Sequence, residues 1–233
     1  MKPTFNNKNK IMSVSETINR INNRLPAGTQ LVAVSKFHPS AAIMEAYKAG
    51  QRIFGESRVQ ELCEKQPACP KDIEWHFIGH LQTNKIKHIA PIVALIHGVD
   101  SIKLLKEINK EGEKIGRVIP CLLQIHIAQE ETKFGFSFEE CREFLKAGSL
   151  KDLKNVHIHG LMGMATLTDN PAQIQKEFKS LNDFFLELKQ VYFKDDQSFK
   201  EVSMGMSDDY EIAIKEGSTM VRIGSAIFGP REY

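Results

Sequence analysis

The sequence predicts a (β/α)8 barrel, a closed ring of eight parallel strands surrounded by helices. Eight short apolar runs rich in β-branched residues alternate with longer segments of helical period, and parallel strands require such crossover helices. The chain of 233 residues has the usual length for eight such units. A doubly wound open sheet would normally carry a Gly-x-Gly-x-x-Gly turn after its first strand. The chain instead reads SKFHPS there, at residues 35–40.

The predicted strands are the apolar runs themselves. In chain order they are residues 30–35, 52–56, 74–79, 93–98, 119–127, 156–164, 201–206 and 220–228.

Residues typical of helix ends mark several of the segments between the strands. Ser137, with Glu140 three residues later, forms a capping-box pattern. Asn170 followed by Pro171 also predicts a helix start, and Gly50 suits a helix C-terminus. The predicted helices are 13–25, an extra helix before the first strand, and 40–50, 101–116, 136–148 and 170–192.

The composition disfavours several classes of partner. With 31 basic and 29 acidic residues, the net charge of +2 and the lack of a basic block argue against nucleic acid. No apolar run reaches the roughly 18 residues of a membrane span. The N-terminus lacks the apolar core of a signal peptide. We expect residues 1–12 to be a disordered tail and residues 13–233 to form one domain.

The four cysteines form no Cys-x-x-Cys pair and have no histidines at zinc-ligand spacing. His157 and His159 share one side of a predicted strand but have no third ligand nearby in sequence. We therefore expect no metal site, and reduced thiols in a cytoplasmic protein.

Two turns rich in glycine and serine are candidates for binding a phosphate group. In barrels of this type the loops after strands seven and eight often hold phosphate. The first loop contains Ser203, Gly205 and Ser207, and Ser207 is expected to cap the following helix. The second contains Gly224 and Ser225. Turns favour these residue types for structural reasons alone, but their presence in both expected loops favours an anion site.

Lys36 follows the first predicted strand, so it shares a rim with these loops. A lysine between apolar walls has a lowered pKa and can attack an aldehyde. An aldehyde on a phosphorylated ring is pyridoxal 5′-phosphate (PLP). Alternatively, Lys36 could reach solvent or pair with an acid such as Glu56. The two phosphate-type loops favour PLP.

Three charged residues near the loops carry their own expectations. Asp208 and Asp209 would repel a dianion, so we expect both to point to solvent. Arg222 precedes Gly224 by two residues and should face the same side of its strand. Inside the barrel it could reach the pyridine nitrogen of PLP. An arginine keeps its proton, so the nitrogen would stay unprotonated and the ring would be a weak electron sink.

Six motifs, in this order, resemble those of the pyridoxal-phosphate homeostasis proteins (the YggS/PROSC family). They run over almost the whole chain from about residue 13: LVAVSK (31–36), FGESRVQE (54–61), WHFIGHLQTNK (75–85), GLMGM (160–164), SMGMSDDYEIAI (203–214) and VRIGSAIFG (221–229). The resemblance implies the barrel that also forms the cofactor domain of alanine racemase and of eukaryotic-type ornithine decarboxylase.

The resemblance also implies a PLP site. Lys36 would hold PLP as an internal aldimine, and Arg222 would approach the ring nitrogen. The phosphate would be bound by Ser203, Ser207, Gly224 and Ser225, and the remaining expected site residues are His80, Asn84, Met204 and Gly205, with Met206 as a further neighbour. Two positions are notable. Ser57 replaces the asparagine common after Gly-Glu, and Lys133 matches a lysine proposed in relatives as a second cofactor contact.

By this resemblance the chain would bind PLP, buffer it and deliver it, with PLP-dependent apo-enzymes as recipients. The alternative is an amino-acid racemase or decarboxylase. Racemases with this barrel take a second base, a tyrosine, from the partner's C-terminal domain. This chain ends nine residues after Gly224, so we expect no such domain and a monomer. A barrel that binds another phosphorylated ligand would leave the setting of Lys36 unexplained.

Overall fold

The computed structural model describes residues 12–130 and 134–229. Eight parallel strands close into a barrel in chain order, with β8 pairing to β1, which confirms the predicted fold. The strands are β1 Gln30–Val34, β2 Ile53–Glu56, β3 Glu74–Phe77, β4 Val93–Val99, β5 Ile119–Gln124, β6 Val156–Met162, β7 Glu201–Ser203 and β8 Met220–Ile223. Lys133 and all of the predicted tail except Met12 lie outside the described residues.

Helices surround the barrel, and the five predicted ones lie where they were expected. The α-helices of the described residues are α1 Val14–Asn22, α2 Ser40–Lys48, α3 Val59–Lys65, α4 Ile86–Ile89, α5 Ile102–Lys114, α6 Phe138–Lys146, α7 Pro171–Val191, α8 Tyr210–Lys215 and α9 Ser225–Phe228. The same residues include three short 3-10 helices, Gln66–Ala68, Thr83–Lys85 and Ser149–Asp152. Helices α3, α4 and α9 were not predicted, because each is only one or two turns long.

The predicted N-caps of α6 and α7 are present. The Ser137 hydroxyl accepts from the Glu140 N–H at 3.1 Å, and the Glu140 carboxylate accepts from the Ser137 N–H at 2.8 Å. The Asn170 side chain caps α7 through the Ala172 N–H at 3.1 Å. Side-chain caps of this kind each stabilise a helix by about 1 kcal/mol.

Two hydrophobic cores hold the barrel together. The larger one lies between the strands and the helices. A smaller cluster, drawn from alternate strand positions, fills the barrel interior: Val32, Leu95, Leu122, Met162 and Met220. Burying an aliphatic side chain of this size contributes about 1.5–3 kcal/mol. The interior is therefore packed below the C-terminal ends of the strands, where a site can open.

The last two strands are shorter than predicted. Strand β8 ends at Ile223, and the residues predicted to continue it form a turn at Gly224 and the short helix α9. Strand β7 ends at Ser203, and the chain turns at Gly205 with φ of 92°. A Cβ at Gly205 would lie 2.6 Å from the Ala213 Cβ, so only glycine fits this turn. The shortening takes Gly224 and Ser225 out of the sheet and places them at the start of α9.

Candidate functional site

A pocket of about 250 Å³ opens at the C-terminal ends of the strands. Its lining comes from β1, from the turns after β2 and β3, and from the loops after β6, β7 and β8. The predicted residues that line it are Lys36, Ser207, Arg222, Gly224 and Ser225. The barrel closes β8 against β1, so residues from the two ends of the chain share this pocket.

Lys36 lies two residues beyond the end of β1, in a turn. The apolar side chains of Val34, Ile78 and Met164 line the same pocket. The Glu56 carboxylate, considered above as an ion-pair partner of Lys36, instead accepts from the Lys65 ammonium at 2.8 Å. Lys36 thus lines the pocket beside apolar side chains at the barrel mouth, with its amine 6.0 Å from the centroid of the Phe37 ring.

The loops after β7 and β8 meet at their serines. The Ser225 hydroxyl donates to the Ser207 hydroxyl at 3.1 Å. Among the described residues, the backbone N–H groups of Ser207 and Ser225 have no hydrogen-bond acceptor. Gly224 keeps the backbone open here, since a Cβ would lie 3.1 Å from the Val34 carbonyl oxygen. Two hydroxyls and two N–H groups therefore converge where an anion could bind.

The expected roles of Ser207 and Asp209 were wrong. Helix α8 begins at Tyr210 with Asp209 at its N-cap position, so Ser207 does not cap it. Asp209 does not point to solvent, because its carboxylate accepts from the Met206 N–H at 2.5 Å. Burial raises the pKa of Asp209, while the Met206 N–H and the charge of Arg222 oppose this rise. Asp208 is exposed, as expected, but it also lines the pocket rim.

Arg222 forms part of the pocket floor and is almost fully buried. Its guanidinium donates to the Ser203 hydroxyl at 2.6 Å and to the Gly163 carbonyl at 3.1 Å. Burial lowers the pKa of Arg222 to about 10, with Asp209 opposing the shift. The side chain is therefore still a cation at neutral pH, and it faces the same side as Gly224, as predicted.

A chain of buried hydrogen bonds continues below Arg222. His97 Nδ1 lies 2.9 Å from the Ser203 hydroxyl, and His97 Nε2 lies 3.0 Å from His76 Nδ1. Burial lowers the pKa of His76 to about 3. Burial, together with His76 and Arg222, lowers the pKa of His97 well below its ordinary value. Both imidazoles are neutral.

The direction of each hydrogen bond in this network follows from Arg222, because a guanidinium can only donate. Ser203 accepts from Arg222, so its own proton is available to His97 Nδ1. His97 Nε2 then donates to His76 Nδ1. Sequence reasoning missed both histidines, although each is a polar residue inside an apolar strand.

Comparisons with known proteins agree with this geometry. Residues 11–232 match the family described as "Alanine racemase, N-terminal domain". The pyridoxal phosphate homeostasis protein of Haemophilus influenzae is 40% identical over 230 residues, which are 97% of this chain and 95% of that protein. Its namesake from Aquifex aeolicus is 40% identical over 205 residues, 88% of each chain.

The chain belongs to the pyridoxal phosphate homeostasis protein family. The structure of PipY from Synechococcus elongatus PCC7942 with PLP bound matches with a TM-score of 0.84 at 37% identity, over 93% of this chain and 100% of PipY. The PipY structure without PLP gives a TM-score of 0.87 at 38% identity.

In this family member, half of the predicted site residues do not line the pocket. Ser203 is fully buried beneath it, bonded to Arg222 and His97. Met204 is fully buried in the outer core, where it serves as apolar filling. Gly205 forms the turn before α8. His80 bonds Asp100 at 2.8 Å and stacks on Phe134, and Asn84 is exposed.

Further residues line the pocket without having been among the predicted site residues. They are Val34, His38, Ser57, Ile78, Met164, Asp208 and Gly229, whereas Met206, expected as a further neighbour, lines the pocket as well. Ser57, the serine at the family's usual asparagine position, is thus directly at the site. Its location immediately after β2 was the available signal, since strand ends form the rim of such barrels.

Other features of the described residues concern metal ligands, membrane spans and thiols. Within the described residues no three His, Cys, Asp or Glu side chains are arranged to hold a metal ion. His157 bonds Asp196 and Ser198 instead. The described helices include none with the length and apolarity to cross a membrane. All four cysteines are free thiols.

Proposed function

We propose that this chain binds PLP through Lys36 and holds it for release to other proteins. The observation that carries the proposal is the meeting of Lys36, Arg222 and the paired hydroxyls of Ser207 and Ser225 in one pocket. Its volume of about 250 Å³ is just below the range of about 300–1,000 Å³ that is usual for small-molecule sites. Relatives named for PLP homeostasis and the PLP-bound PipY structure support the choice of cofactor.

In this proposal each part of PLP meets a suitable group. The phosphate lies against the hydroxyls and N–H groups of Ser207 and Ser225, where Gly224 leaves room for it. Arg222 faces the ring nitrogen. Ser203 holds Arg222 in place rather than binding the phosphate. In this proposal His80, Asn84, Met204 and Gly205, which do not line the pocket, do not contact PLP.

The bond to Lys36 needs no other reactant. The amine attacks the aldehyde carbon, a C=N bond forms, and the aldehyde oxygen leaves as water. Addition of water reverses the step and releases PLP. A reversible bond of this kind suits storage and delivery.

We infer that the chain is not an enzyme of amino-acid metabolism. A ring nitrogen facing Arg222 stays unprotonated, so PLP is a weak electron sink there. No tyrosine is among the described residues that line the pocket, whereas a racemase needs a second base. Free thiols fit a cytoplasmic location.

A loading and transfer experiment tests the function. The protein is incubated with PLP, freed of unbound PLP by gel filtration, and mixed with an aspartate aminotransferase stripped of its cofactor. We expect the aminotransferase to regain activity, and L-alanine incubated with the loaded protein to remain L-alanine. Failure to retain PLP would contradict the proposal, and rapid racemisation of alanine would favour the enzyme alternative.

The phosphate assignment gives a second prediction. The double variant Ser207→Ala, Ser225→Ala should bind PLP at least about 100-fold more weakly, because two hydrogen bonds to a charged group contribute about 1.5–3 kcal/mol each. Pyridoxal lacks the phosphate, so its affinity should change by less than about twofold on the same reasoning. Calorimetric titration with both ligands measures the difference. Equal weakening for PLP and pyridoxal would show that the serines do not bind the phosphate.

A further inference from the structure

The turn that carries Lys36 has an unfavourable backbone conformation. Phe37, the next residue, has φ of 67°, a positive value that no other non-glycine residue in the described ranges adopts. The left-handed region costs a bulky side chain about 1–3 kcal/mol and persists only where the surroundings enforce it. Something next to this turn must therefore hold Phe37 in place.

Helix α3 supplies that constraint. The Glu61 carboxylate accepts from the Phe37 N–H at 2.8 Å. The Arg58 guanidinium lies over the Phe37 ring, 4.4 Å from its centroid. Burial alone would raise the pKa of Glu61, but its hydrogen bonds from Phe37 and Lys65 lower it. Glu61 is thus an ionised acceptor for the strained residue.

The residue before Lys36 is held by the same cluster. The Lys65 ammonium donates to the Ser35 carbonyl at 2.9 Å, to Glu56 at 2.8 Å and to Glu61 at 2.9 Å. The Ser35 hydroxyl donates to the same Glu56 oxygen at 2.6 Å. An ammonium has three protons, and all three are used here. The cluster of Glu56, Glu61 and Lys65 therefore forms hydrogen bonds with both neighbours of Lys36, Ser35 and Phe37.

We infer that Lys65, acting through Glu56 and Glu61, is a positioning residue that aims the amine of Lys36 into the pocket. Lys65 does not line the pocket, so it acts only through the turn. The inference rests on the proposed function, because the consequence of aiming is the rate at which Lys36 captures an aldehyde. A cluster that served stability alone would leave that rate unchanged.

The turn has a clear reason to need such a cluster. An amine on a flexible loop would sample many directions, whereas attack on a bound aldehyde requires one. Misplacement of a reacting group by about 1 Å can cost roughly 100-fold in rate. We therefore expect loss of the Glu61 contact to slow capture far more than it weakens binding.

The test compares Glu61→Ala with Glu61→Gln, which retains an acceptor for the Phe37 N–H. Glu64→Ala is the matched control, since Glu64 is exposed on the same helix. Three quantities are measured for each protein. The first is the rate of PLP attachment to Lys36, which is trapped with borohydride and read by peptide mass spectrometry. The second is the affinity for 4′-deoxypyridoxine phosphate, which lacks the aldehyde. The third is the rate at which formaldehyde and cyanoborohydride methylate Lys36 in the absence of PLP.

Glu61→Ala should slow both Lys36 reactions roughly 10- to 100-fold, with the affinity for the aldehyde-free analogue within about twofold on the same argument. Glu61→Gln should recover most of the rate, and Glu64→Ala should match the parent protein. Lys65→Met should slow the Lys36 reactions as much as Glu61→Ala does. If Lys65→Met does not fold, the comparison of Glu61→Ala with Glu61→Gln decides the question. Unchanged Lys36 rates in Glu61→Ala, or an equal loss of analogue binding, would overturn the inference. If the parent protein takes up no PLP, the proposed function fails, while the methylation rates still decide the positioning role.

Discussion

Replacing Lys36 with alanine is expected to abolish covalent attachment of PLP completely. Lys36 supplies a primary amine among the apolar side chains of the pocket, and no C=N bond can form without it. Lys65, the lysine bound to the neighbouring turn, already donates to three acceptors, so we do not expect it to substitute. The measurement is borohydride reduction after PLP loading, followed by peptide mass spectrometry to locate the adduct.

The same variant should still bind PLP without a covalent bond, because Ser207, Ser225 and Arg222 are untouched. Its affinity for 4′-deoxypyridoxine phosphate should therefore equal that of the parent protein. Lys48→Ala, at an exposed lysine near the end of α2, is the control and should keep the full adduct. An adduct that persists on another lysine in Lys36→Ala would refute the assignment of the anchor.

Much of the architecture could be read from local sequence patterns. The alternation of apolar runs with helical segments gave all eight strands, because each strand and each long helix has its own periodicity. Caps such as Ser137 with Glu140 depend only on residues three apart. The placement of Lys36 near Ser207 and Ser225 followed from topology, since a closed parallel barrel brings all strand C-termini to one rim.

The parts that could not be predicted depend on partners far apart in the chain. Ser203 looked like a phosphate ligand beside Gly205, yet its hydroxyl bonds His97, 106 residues away. Lys65 bonds Ser35, 30 residues away, on a helix too short to show a clear period. Asp209 was expected in solvent because it would repel a bound dianion, whereas its carboxylate accepts from the Met206 N–H instead. Side-chain direction at a strand end depends on these contacts and not on the local pattern.

The buried histidines should make the folded protein sensitive to acid well above the range where carboxylates titrate. The pKa of His76 falls to about 3 in the folded state, and that of His97 is also strongly lowered, whereas an unfolded histidine titrates near about 6.5. Below that pH the unfolded chain binds protons that the folded chain excludes. The free energy of unfolding should therefore fall by about 1.4 kcal/mol per pH unit for each histidine.

Other groups with shifted pKa values also contribute to this slope between pH 6.5 and 5. The half-buried His159 has a lowered pKa and adds a loss of the same sign. Burial raises the pKa of Glu56 against the opposing hydrogen bonds of Lys65 and Ser35, so Glu56 takes up a proton more readily when folded and acts in the opposite direction. Carboxylates with lowered pKa values, such as Glu61 and Glu187, lose their stabilising effect only as the pH falls below their unfolded pKa, about 4.3.

Urea unfolding at pH 7, 6 and 5 measures the slope. His76→Asn keeps an acceptor near the position of Nδ1 but cannot titrate, so it should reduce the slope by about 1.4 kcal/mol per pH unit. His88→Asn changes an exposed histidine and should leave the slope as it is. If the free energy of unfolding of the parent protein is constant from pH 7 to 5, the conclusion that His76 and His97 are neutral in the folded state is wrong.

The location of these histidines gives the acid sensitivity a functional meaning. A proton on His97 would add a second cation beside Ser203, which already accepts from Arg222. The interior offers no described carboxylate hydrogen-bonded to either imidazole to offset that charge. The folded protein therefore keeps both histidines neutral, and Arg222 remains the cation that faces the pocket. Acid should unfold the barrel before it changes the charge beneath the site, so the protein should lose its PLP by unfolding rather than by graded weakening of the site.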